Sequence, residues 1–128
     1  MEHMEHKGAD WLIGQLEQHG EQRFDAMLRQ LPDEALMNVD LVLLNWQLTS
    51  LATGGTLIDP HNEGYAAAYR TLYLVGTERQ RRFDYVGGIK GILARRRDPN
   101  RWPKWREHNR QIAALYRLIV SKLTGQSL

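Results

Sequence analysis

Near the C-terminus three arginines, Arg106, Arg110 and Arg117, recur at intervals of four and seven residues. On a helix, at about 100° per residue, that spacing sets them in one row along one side of the axis. A guanidinium group is a planar, permanently charged fork that matches phosphate oxygens, so the row can meet successive phosphates of a nucleic-acid backbone. A plain solvated face is the competing reading, because charged rows usually line the outside of helices. A second group lies just upstream: Arg95, Arg96, Arg97 and Arg101, followed by Trp102, Lys104 and Trp105. Cations interleaved with aromatic rings suit a single strand, whose phosphates they neutralise and whose bases stack on the rings. Trp105 belongs to the apolar stripe of its helix. That leaves Trp102 as the exposed stacking platform or, alternatively, as a lid over the end of the bundle.

Three glycines, Gly87, Gly88 and Gly91, stand in the segment before this basic group. Glycine inside a helix costs about 1 kcal/mol relative to alanine. On a helical wheel they fall opposite Tyr85, Val86, Ile89, Ile92 and Leu93, the side expected to face the core. They would then form an interface where a second backbone comes close. The competing reading is that Gly87-Gly88 breaks the segment into two short helices.

Signals for enzymatic chemistry are few. His3 and His6 have the spacing of helical metal ligands but lie in the terminal tail. Asp59, His61 and Glu63 surround a proline-initiated helix start, where acids favour the helix dipole in any case. No glycine-rich phosphate loop with lysine, no serine–histidine motif and no paired-carboxylate signature occurs, and neither a metal nor a cofactor is called for. The interval from Arg101 to His108 resembles the Arg-to-His pattern of the helical HEPN ribonucleases, which also use a C-terminal helix. That resemblance implies RNA cleavage through Arg101 and His108. A histidine on the flank of the apolar stripe reads equally as a core-border residue, and the chain is expected to be non-enzymatic.

Helical periodicity supplies the elements that must hold these residues. Residues 1–8 read as a flexible tail and 9–128 as a single helical domain. Asp10 is placed to cap a first helix to about His19, with Gly20 as terminator. Phe24, Met27, Leu28 and Leu31 make the buried stripe of a second helix, which Pro32 ends. A third, opened by Asp33 and covering about 34–52, is apolar on nearly every side, the pattern of a central helix. Asp59-Pro60 opens a fourth, running to about Val75. Gly76 then punctuates, and Thr77 with Gln80 makes a capping box for a fifth helix ending near Arg97. After a connector at Asp98-Pro99 and Trp102-Pro103, a sixth runs from about Pro103 to Thr124. Its buried stripe is Trp105, Ile112, Leu115, Tyr116, Ile119 and Leu123. No segment shows strand alternation, so the fold class is all-α, a compact bundle of five to six helices.

The 128 residues contain no cysteine, which excludes disulfides, thiolate nucleophiles and cysteine-ligated metals. The N-terminus lacks the features of a secretory signal. The longest apolar stretch, 36–52, is interrupted by Asp40, Asn45 and Gln47 and is shorter than the roughly 20 residues of a membrane span. A cytoplasmic protein with no membrane partner is expected. The net charge of +2 conceals a division: residues 1–64 hold three basic and eleven acidic side chains, residues 65–128 fourteen basic and four acidic. Such asymmetry points to an anionic partner, to head-to-tail self-association, or to neutralisation of one half by the other within the chain.

The expected function is a non-enzymatic module that binds the backbone of RNA or single-stranded DNA as a small subunit of a larger (ribonucleo)protein assembly. In size and charge the chain resembles the small all-helical subunits of CRISPR effector complexes, which implies a protein lining a strand held by other subunits. The alternative is a protein-interaction factor, such as a phage-type inhibitor, working through its acidic half (Glu17, Glu21, Asp25, Asp33, Glu34 and Asp40).

Overall fold

Gly20 and Pro32 divide the first part of the chain. Gly20 has a positive φ of 84°, beyond the easy reach of a side chain with a Cβ, and its N–H donates to the Leu16 carbonyl at 2.8 Å. The computed structural model describes residues 7–52, 66–83 and 88–124, and α1 (Ala9–His19) and α2 (Glu21–Gln30) meet at this glycine. Asp10 does not cap α1. Gly8 occupies that position, and Asp10 sits in the first turn, where its charge complements the dipole. Pro32 ends the α2 segment, and Asp33 opens α3 (Asp33–Ala52).

The next boundary departs from expectation. Helix α4 (Ala66–Phe83) runs without a break through Gly76 and Thr77, where local signals place a stop and a new cap. Thr77 turns its hydroxyl back to the Tyr73 carbonyl, 2.8 Å away, instead of capping a new helix. Just beyond the expected break, buried Arg79 is ion-paired to Asp40 of α3 and buried Glu78 to Arg82 one turn on in α4. A tertiary contact and an intrahelical pair thus carry the helix past its weak residue. The expected opening at Asp59-Pro60 lies outside the described residues. Helix α5 (Gly88–Arg97) follows, and its first residue has φ 67°. That positive φ favours the helix-breaker reading at Gly88, while Gly87 lies outside the described residues.

Helix α5 also presents the opposite side to the one its pattern predicts. Gly91 is buried and Ala94 packs on the core, while Ile89, Ile92 and Leu93 face outward, Ile89 being 77% exposed. Helix α6 (Arg101–Thr124) starts two residues earlier than expected. Pro103 is tolerated there because the N–H groups of a first turn have no intrahelical acceptor to lose.

The six described helices form an all-α bundle with α3 at its centre, packed against α6, α4 and α1. Its core joins Leu12, Phe24, Leu28, Leu36, Val39, Leu43, Val75 and Trp105. A smaller cluster of Leu44, Ile112 and Ile119 closes the far end of the α3–α6 contact. No described helix is long and apolar enough to cross a membrane.

Candidate nucleic-acid interface

The packing of α3 between α4 and α6 brings the acidic half of the chain onto the basic half. Asp33, at the first turn of α3, accepts from Arg101 Nε at 2.6 Å, Arg101 Nη2 at 3.1 Å, Arg82 Nη1 at 3.1 Å and Trp105 Nε1 at 3.0 Å. Partial burial pushes its carboxyl upward, but these donors outweigh that and hold it below the ordinary aspartate range. Two turns along α3, Asp40 is buried and receives Arg79 Nη1 on both oxygens at 2.9 Å. His108 Nε2 meets the same carboxylate at 2.8 Å. Burial pushes the Arg79 guanidinium down; Asp40 and Tyr116 more than compensate and keep it above its usual value. At the surface Lys104 pairs with Glu34 at 3.0 Å, and Arg70 pairs with Glu21. Neutralisation within the chain therefore takes up a large part of the charge asymmetry.

The structure sorts the candidate residues into two sets. Arg101 is held by Asp33 and lies over the Trp102 ring, 5.1 Å from its centroid. Trp102 is fully buried, which removes it as a stacking platform and makes it the lid over the bundle end. Arg101 and His108 engage different carboxylates and are not brought together at one site.

Arg106, Arg110 and Arg117 all lie exposed on the outer side of α6, away from its buried Trp105, Ile112 and Ile119. Arg110 is shared with Glu107, its Nε 2.9 Å from Oε2. Arg96 and Arg97 are exposed at the end of α5, and Arg95 beside them is half-buried. Among the described residues no carboxylate pairs with Arg96, Arg97, Arg106 or Arg117. The row on α6 spans eleven residues, roughly 16 Å at 1.5 Å per residue, a length that crosses several phosphates. Of the glycines expected at an interface, Gly88 is exposed, Gly91 is buried within the chain and Gly87 lies outside the described residues.

A second feature was not legible as a site in the sequence. Between α3, α4 and α6 lies a cavity reached by Asp40, Gln47, Tyr69, Tyr73 and Tyr116. The signal for it was Asp40 and Gln47, polar residues seven apart on one face of a largely apolar helix; the tyrosines belong to two other helices. His3 and His6 lie outside the described residues, among which no group of three metal-ligating side chains occurs. Comparison with known proteins finds no family model, no curated protein and no solved structure that matches this chain.

Proposed function

We propose that this chain is a non-enzymatic module that binds nucleic-acid backbone as a subunit of a larger assembly. The binding surface is the outer row of α6 (Arg106, Arg110, Arg117) with Arg95, Arg96 and Arg97 at the end of α5. The observation that carries this reading is the location of the surplus cations: Arg96, Arg97, Arg106 and Arg117 project outward with no described carboxylate partner, whereas Arg79, Arg82, Arg101 and Lys104 are bound to the acidic half. Phosphates would bind by displacing counterions from this surface. Arg101 and Trp102 fall outside it, since one is committed to Asp33 and the other is buried.

The protein-interaction reading through the acidic half is less favoured. Of the six acids that reading names, Glu21, Asp25, Asp33, Glu34 and Asp40 are each ion-paired within the chain, and Glu17 is the one exposed without a described ion pair. The test is fluorescence anisotropy of labelled single- and double-stranded RNA and DNA across a salt series. The expected result is a log affinity that falls linearly with log salt, each phosphate contact adding about 0.7–0.9 to the slope. Reversing Arg106, Arg110 and Arg117 to Glu should abolish binding. Absence of binding at low salt overturns the proposal.

A further inference from the structure

The cavity between α3, α4 and α6 has a volume of about 240 Å³. An apolar cavity of about 150 Å³ holds benzene, so this one accommodates a one- or two-ring system but not a steroid or a long acyl chain. Leu44, Leu72 and Ile119 make flat aliphatic walls, and Tyr73 and Tyr116, each roughly half exposed, stand at its mouth.

Two polar groups give the space its chemistry. Gln47 lines the cavity and is only 4% exposed, yet its Nε2 has no hydrogen-bond partner among the described residues. A buried donor left unmet costs free energy and calls for an acceptor. Asp40, one face-repeat earlier on α3, accepts one hydrogen bond on Oδ1 and two on Oδ2, which leaves acceptor capacity on Oδ1. Arg79 and His108 are committed to Asp40, Arg70 lies outside over the Tyr73 ring, 4.9 Å from its centroid, and no lysine, arginine or histidine is among the described lining residues. An anionic ligand would therefore find no counter-charge there, and a hydrocarbon would leave Gln47 unmet. What fits is a flat neutral ring system whose edge carries both an acceptor and a donor, with faces suited to tyrosine rings.

We propose that this cavity binds a single nucleobase, its edge toward Gln47 and Asp40 and its faces against the aliphatic walls and the tyrosines. The base comes either from a free nucleoside or from a strand bound along α6. The second source rests on the backbone-binding reading: Tyr116 at the mouth is followed directly by Arg117 of the arginine row, so the opening lies about a quarter turn around α6 from a strand on that row. Extruding one base into the cavity costs least from single-stranded nucleic acid.

The experiment uses the full chain and four nucleosides, adenosine, guanosine, cytidine and uridine, followed by NMR shifts of the Gln47 side-chain amide and the tyrosine rings. At least one nucleoside should bind saturably with an affinity that salt does not change. Gln47→Leu preserves volume and removes the donor; it should weaken that binding about tenfold while the melting temperature holds or rises. Leu44→Phe, which fills the cavity, should abolish it, and the Arg106/Arg110/Arg117→Glu triple variant should leave nucleoside binding intact. In a parallel arm with homopolymeric oligonucleotides, Gln47→Leu should lower affinity for the preferred base and leave the salt slope unchanged. Nucleoside binding without oligonucleotide binding identifies the free nucleoside as the source and overturns the backbone reading alone. Base-dependent oligonucleotide binding lost in Gln47→Leu, without nucleoside binding, identifies the strand as the source. Salt-dependent oligonucleotide binding that ignores Gln47→Leu, with no nucleoside bound at millimolar concentration, overturns the cavity proposal and leaves the backbone reading standing.

Discussion

Asp33 and Asp40 occupy the same helix two turns apart, and their surroundings give them different weights. Asp40 is buried with Arg79 and His108 around it, so its removal would strand a guanidinium away from water. Asp40→Ala is expected to cost about 3–5 kcal/mol in urea denaturation. Replacing Asp40, Arg79 and His108 together with apolar residues of similar volume should cost far less, since no charge is then left unpaired. Asp33 is only partly buried, and its hydrogen bonds keep the carboxyl below its ordinary range. A lowered folded-state pKa means that the ionised form stabilises the fold at pH values above the unfolded value of about 3.9. That contribution is lost as pH falls through the folded value. The stability gap between wild type and Asp33→Asn should therefore be full at pH 7 and close progressively below about pH 4, as followed by denaturation at a series of pH values.

At the scale of the elements, local signals and packing compete, and α4 and α5 show each outcome. Gly76 lies inside α4, where an added Cβ would meet only Arg79 Nη2, at an ordinary 3.6 Å. Gly76→Ala is thus expected to stabilise the protein by about 0.5–1 kcal/mol, the difference in helix cost between the two residues. Gly88→Ala should do the reverse, because its φ of 67° is one that a Cβ disfavours whatever the space around it. Thermal melts of the two variants would separate a glycine that merely weakens a helix from one that is needed to start another. In α5 the small residues Gly91 and Ala94 face the core while Ile89, Ile92 and Leu93 face outward, the reverse of what the helical wheel predicts.

For the whole molecule, the acidic and basic halves are the two sides of one core. Helix α3 belongs to the acidic half, yet it packs mainly on α6 and α4 of the basic half, and its carboxylates are met there by Arg79, Arg82, Arg101 and Lys104. Fragments 1–64 and 65–128 made separately should each lack a cooperative unfolding transition, since each exposes apolar surface that the other covers. Mixing them at low salt should restore helical signal in circular dichroism, and raised salt should weaken that recovery by screening the exposed pairs.

Helix content, the joints at Gly20 and Pro32, the central place of α3 and the outward row of Arg106, Arg110 and Arg117 were determined by the sequence itself. Each depends on backbone preference or on a period of 3.6 residues, and both act within a few residues of chain. Tertiary structure alone decided that Trp102 is buried, that Arg101 belongs to Asp33, that α4 continues past Gly76 and that α5 turns its glycine inward. It alone placed tyrosines of α4 and α6 opposite Gln47 of α3. These outcomes turn on which surfaces meet across tens of residues. A charge or an aromatic ring carries no local mark of whether its partner will be water, a distant carboxylate of the same chain, or another molecule.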